Sequence, residues 1–223
     1  MTKTSGPNTP AASTAMIRVL GAIAYGELKA HEEARANAEA ATTDAERQAW
    51  ERVAAQELGH HRGFLHRLEA LGADPERAMR PYRRLLDRYH GQQPRGTVEA
   101  AVWSVLGEGI AEDLLLWLRR VSDPDTSAWI ANVLKDEEEH EAGAQQRALA
   151  VVSANPVNRV RAVGALVTML GRMLRSTEPG PLPLRVFVEV GRPHELVAGI
   201  TRGYARRAGM VGAAAIGRRA AAA

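Results

Sequence analysis

Apolar residues recur at helical spacing along four long stretches of this chain, the mark of helices lying on a shared core. The first stretch covers residues 13–41, where Met16, Leu20, Ile23, Ala24, Glu27, Leu28 and His31 share one stripe. Thr43-Asp44-Ala45-Glu46 reads as a capping box opening a second helix. Its inner side carries Trp50, Val53, Ala54, Glu57, His60, His61, Phe64 and Leu68, and it stops at Gly72. Asp74-Pro75 starts a shorter helical piece that Pro81 bends and that ends near Gly91. After a loop over 92–96, Thr97 opens a third helix with Val98, Ala101, Val105, Glu108, Glu112 and Leu115 in line. The turn Ser122-Asp123-Pro124-Asp125 leads into a fourth, carrying Ile130, Val133, Leu134, Glu137, His140 and Ala144 and fading near Asn155-Pro156. The pattern predicts an all-α four-helix bundle over 13–155 with a long crossover between helices 2 and 3.

One or two further helices follow. A fifth amphipathic helix is expected over 157–175, broken by the proline-rich stretch 178–184, and a last one over 194–209. The sequence therefore divides into a flexible tail (1–12), the bundle (13–155), a basic helical extension (156–211) and a disordered Ala-rich tail (212–223).

The apolar stripes are interrupted by acids and imidazoles in a repeated order. Glu57-Leu58-Gly59-His60 and Glu137-Glu138-Glu139-His140 are two copies of Glu-x-x-His set 80 residues apart. Glu27 precedes the first by 30 residues, and Glu108 precedes the second by 29. Glu-x-x-His places a carboxylate and an imidazole on one helix face. A Glu from each of two helices, plus Glu-x-x-His from each of the other two, is what a pair of metal ions needs at the centre of a bundle. Four buried carboxylates would otherwise repel one another, and two cations remove that cost. Glu57 and Glu137 are expected to bridge both ions, Glu27 and Glu108 to be terminal, and His60 and His140 to give one nitrogen each. Oxygen-rich ligation with one imidazole per ion suits iron or manganese better than zinc.

Around these six, His31 and Glu112 lie one turn beyond a ligand, and Asp136 is placed to anchor a ligand imidazole. Glu138, Glu139 and Glu141 read as surface acids. His61, His66 and His90 read as surface or helix-end residues.

Composition narrows the chemistry. With no Cys, thiolate metal sites, Fe–S clusters and disulfides are excluded. No stretch reaches about 18 apolar residues, so no spanning helix is expected. No secretory leader stands out, and a cytoplasmic location is the default expectation. Net charge is +3, yet residues 156–223 hold 11 Arg against 3 Glu, a balance of +8. Such a segment can meet nucleic acid, acidic lipid or an acidic protein, or simply form a solvated face in a chain with 26 Arg and 3 Lys.

Glu27, Glu57-x-x-His60, Glu108 and Glu137-x-x-His140 together resemble the ferritin-like superfamily over residues 13–155. Within it the chain is most similar to the bacterial group of tRNA 2-methylthio-N6-isopentenyladenosine hydroxylases. The segments that carry this are Ala24-Tyr25-Gly26-Glu27, Gln56-Glu57-Leu58-Gly59-His60, Leu-Glu-Ala-Leu-Gly-Ala-Asp-Pro-Glu (68–76) and Gly107-Glu108-Gly109. The resemblance implies a non-haem di-iron oxygenase with O₂ as co-substrate and a ferredoxin or flavin reductase as electron donor. Its substrate would be a tRNA base or a small molecule. Two other classes stay open: an iron-binding ferroxidase or storage-type protein, and a module with a structural metal site whose Arg-rich helices dock RNA or membrane. A homodimer is compatible with each.

Overall fold

Helices joined by short turns and loops make up the described residues of the computed structural model, with no strand among them. It describes residues 14–91, 94–176 and 183–217, apart from the side chains at positions 108, 170, 172–176, 183–185 and 188. The elements are α1 (Thr14–Ala40), α2 (Asp44–Ala70), α3 (Pro75–Met79), a 3₁₀ turn (Arg80–Tyr82) and α4 (Arg83–His90). They continue with α5 (Thr97–Val121), α6 (Pro124–Ser153), α7 (Pro156–Ser176), α8 (Pro183–Val190) and α9 (Pro193–Ala215).

Short polar side chains set the starts of α2, α3 and α6. Thr43 Oγ1 accepts from the Glu46 N–H at 3.2 Å, and the Glu46 carboxylate accepts from the Thr42 N–H at 3.1 Å. The box thus closes one residue wider than a minimal one. Asp123 accepts from the N–H groups of Asp125 and Thr126, each at 3.1 Å, and Pro124 follows at the first helical position.

α1 lies against α2, and α5 against α6. The first pair is antiparallel, which its reciprocal hydrogen bonds make plain: His31 Nδ1 bonds the Ala54 carbonyl and His61 Nδ1 the Ala24 carbonyl, each at 2.7 Å. The crossover formed by α3, the 3₁₀ turn and α4 runs along α1. Gly21 permits this close approach, since a Cβ there would sit 2.5 Å from the Ala78 carbonyl oxygen.

Two apolar cores divide the bundle lengthwise. One gathers Leu20, Phe64, Leu68, Leu115, Leu118, Ile130 and Val133, with Phe187 and Leu196 from the C-terminal helices. The other gathers Val102, Val105, Leu106, Ala144 and Val152, with Ala162, Met169 and Val211. On α5 the switch between cores falls between Leu106 and Leu115, and on α6 between Leu134 and Ala144. Glu108, Glu137 and His140 stand in those gaps.

The C-terminal region differs from expectation in three ways. α7, α8 and α9 contribute to the two cores, so residue 155 marks a turn and not a break in packing. α8, which was not expected, begins within the proline-rich stretch, at Pro183. α9 runs on to Ala215, which corrects the expectation of disorder from 212, because Val211 and Ala214 are buried and hold this turn in place. The expected flexible start (1–12), residues 92–93 of the loop and residues 218–223 of the tail lie outside the described residues. No helix among the described residues is long and apolar enough to cross a membrane.

Candidate metal centre

Between the two cores, Glu27 of α1, Glu57 and His60 of α2 and Glu137 of α6 each offer a ligand atom, all within 4.8 Å of one another. With His140 of α6 they are at most 9 % exposed. His60 Nδ1 lies 3.4 Å from Glu57 Oε2 and 3.6 Å from both Glu27 Oε2 and Glu137 Oε1. Glu57 turns its other oxygen, Oε1, to His140 Nδ1 at 3.2 Å, and Glu137 Oε1 is 3.9 Å from the same nitrogen. Glu57 and Glu137 therefore each face both imidazoles, while Glu27 faces His60. Glu108 is on α5, but its side chain lies outside the described residues.

Both imidazoles are held from behind. His60 Nε2 donates to Asp136 Oδ2 at 3.0 Å, and His140 Nε2 donates to Gln56 Oε1 at 3.0 Å. Each anchor is the residue immediately before the Glu of the opposite Glu-x-x-His. Asp136 was legible as such an anchor. Gln56 was not identified, although the 80-residue repeat aligns it with Asp136. Both contacts leave Nδ1 turned inward, which fixes the ring orientation a metal ligand needs.

The electrostatics of the cluster are those of negative charge out of water. Burial, reinforced by Glu57 and Glu137, holds the Glu27 carboxyl well above the usual range, although His60 opposes it. Burial would also raise Glu57, but His140, His60 and Glu27 outweigh it and bring Glu57 to about 2. Burial disfavours a charged His60, but Glu27 and Glu57 overcome this and push it up to about 11.

The remaining expected site residues sit elsewhere. His31 spends its Nδ1 on the Ala54 carbonyl and supports the α1–α2 pair. Glu112 joins a second polar cluster with Glu141 of α6 and Arg206 and Arg207 of α9. Burial and Glu141 push Glu112 up to about 8. Glu141 is a correction to the reading as a surface acid: it is buried, 3.1 Å from Arg206 Nη2, because α9 covers that face of α6. His61 is likewise buried by α1, and not a surface residue. Arg207 is wholly buried and bonds Asp113. A methyl at Gly109 would overlap the Arg207 guanidinium, and one at Gly203 would overlap Asp113.

The comparisons agree with this architecture. Residues 11–176 match the family described as Ferritin-like domain, actinomycetes. The chain belongs to that family of ferritin-like domains. Among solved structures it is similar to "Protein 19 with aldehyde deformylating oxidase activity from Synechococcus". The TM-score is 0.62 at 23 % identity, over 92 % of this chain and 94 % of that one. That likeness gives the fold, an all-α ferritin-like bundle. No curated protein sequence matches the chain.

Proposed function

We propose that this protein is a di-metal carboxylate oxidase or hydroxylase that uses O₂, with iron as the metal and manganese as the substitute. The observation carrying it is Glu57, whose two oxygens face the Nδ1 atoms of two different imidazoles, each imidazole anchored at Nε2. The donor set fits such a pair. Glu57 Oε2 and His60 Nδ1 are buried with no hydrogen-bond partner, an arrangement that two cations would satisfy.

Glu27, Glu57, His60 and Glu137 would hold one ion. Glu57, Glu137 and His140, with Glu108 by its place in the repeat, would hold the other. Iron bound there would supply the binding and stepwise reduction of O₂, with electrons from a ferredoxin or flavin reductase. The chain's own part is positional. Glu57 and Glu137 would each serve both ions, Asp136 and Gln56 hold the imidazole rings, and the apolar cores lie on either side.

The solved relative's oxidase activity supports this class over iron storage. Hydroxylation of a tRNA base is the narrower form of the reading and rests on the sequence segments around Glu27, Glu57 and Glu108. Metal content and the optical spectrum after adding Fe(II) and O₂ test the class: two irons per chain and a new visible band are expected. A protein that binds no iron or manganese sinks it. Modified nucleosides and aldehydes compared with and without the gene then test the substrate.

A further inference from the structure

Seven large apolar side chains are exposed among the described residues, and four of them lie on one short run of α7. Val157 is 57 % exposed, Val160 74 %, Val163 49 % and Val167 68 %. They form a stripe about 15 Å long on the outward side of the helix. The opposite side buries Ala162, Ala165 and Met169 in the second core. A Cβ added at Gly164, within the stripe, would meet nothing within 4 Å, so no described residue covers it. The end of α9 extends the patch: Ile216 is 68 % exposed, and a Cβ on Gly217 beside it would meet Arg159 of α7 at 3.1 Å.

Charge says what fits there. α7 carries Arg159, Arg161, Arg172 and Arg175 and no acidic residue, and Arg161 is exposed at the border of the valine stripe. An apolar outer face on a purely basic helix matches the boundary between anionic headgroups and acyl chains. Nucleic acid is a poorer match, since it would need cations and stacking rings at the centre of the face, where α7 has valines. A second copy is also a poorer match. The stripe is one helix wide, whereas a stable protein interface covers roughly 800 Å² per partner, and two all-basic helices would repel.

We propose that the outward face of α7 docks this protein on an anionic membrane surface. Val157, Val160, Val163 and Val167 enter the headgroup–acyl boundary, and Arg161 pairs with lipid phosphate. No helix among the described residues is long and apolar enough to span the bilayer.

Flotation of the full chain with phosphatidylcholine vesicles, with and without phosphatidylglycerol, tests this. Binding should be about tenfold or more stronger to the anionic vesicles and should weaken with salt. The double variant Val160→Asp with Val167→Asp should lose about tenfold or more of that binding. Its helicity and melting temperature should match the wild type, because both positions are exposed. If the aspartates disturb folding, Val160→Ser with Val167→Ser makes the same test. No vesicle binding by the wild type, or equal binding by a folded variant, overturns the proposal. So does a wild-type dimer in light scattering that the same substitutions split, since a second copy would then be the occupant.

Discussion

His140 and Glu141 are neighbours in sequence, yet their side chains enter two different buried clusters. His140 turns to Glu57 and Glu137, in a group where Glu27 and Glu57 face imidazoles and each other. Glu141 turns to Arg206 and Arg207, beside the ion pair of Arg207 with Asp113. The first is buried, the second reaches solvent at Arg206, and both hold several carboxylates. The second carries its own counterions: with the Glu112 carboxyl pushed up to about 8 and so protonated, two carboxylates face two guanidiniums. Among the described residues, the first has no guanidinium or ammonium paired with Glu27 or Glu57. A cluster with guanidinium counterions holds helices together, whereas one whose cation is a displaceable proton on His60 suits the proposed exchange for metal.

The sharpest way to break this contrast is Glu57→Ala. It removes the carboxylate that faces both imidazoles, and metal binding should be lost altogether, as read by metal content and calorimetry. The metal-free chain should also lose stability, because Glu57, held down to about 2 by His140 and His60, is charged in the fold and its loss leaves a protonated His60 short of a partner. Arg207→Met attacks the other cluster. It leaves Asp113 and Glu141 buried without their cation and should cost about 3–5 kcal/mol in urea unfolding. Full metal stoichiometry in the folded variant would show that the clusters are separate, and loss of metal at intact folding would merge them.

Gln56→Ala and Asp136→Ala should each weaken metal affinity by about 10–100-fold, with little change in stability. Equal losses would confirm that the two anchors are equivalent halves of one repeat. A loss from Asp136 alone would make His140 a bystander.

Two pH effects are smaller and have definite signs. His60, at about 11, keeps its proton through neutral pH in the metal-free protein, and a metal must displace it. Affinity should therefore rise with pH, up to about tenfold per unit for each proton displaced. Titration with Co(II) at several pH values measures this. Glu112 ordinarily titrates near 4.5 and is raised to about 8 in the fold. Its folded form binds the proton more tightly, so stability should fall as pH climbs from about 4.5 to about 8 and level off beyond. Glu112→Gln should flatten that slope in thermal melts.

The helices of the bundle were readable because their stripes carry strong periodicity and their starts carry capping residues, as at Thr43 and Asp123. Glu27, Glu57, His60, Glu137 and His140 were readable for the same reason: each occupies a place in a stripe otherwise filled by apolar side chains. Gln56 escaped because it lies one position off the stripe, where periodicity predicts a flank. Only the match between positions 56 and 136 in the repeat could have pointed to it. Glu141 was misread because its side of α6 carries acids in sequence, whereas His61 lies in line with Ala54, Phe64 and Leu68 and reads as a surface residue from its imidazole alone. The carbonyl of Ala24 and the guanidiniums of α9 are what make those positions interior.

The sequence by itself determined which residues share a helix face, and therefore that two carboxylate–imidazole pairs exist at matching depths on two helices. Periodicity is a property of one element, and local physics is enough to set it. Only the tertiary structure decided which faces meet: that Asp136 stands behind His60 and Gln56 behind His140, that Arg207 lodges over Gly109, and that no described residue covers the valines of α7. Those outcomes depend on which helix covers which, and that choice is made by packing between segments far apart in the chain.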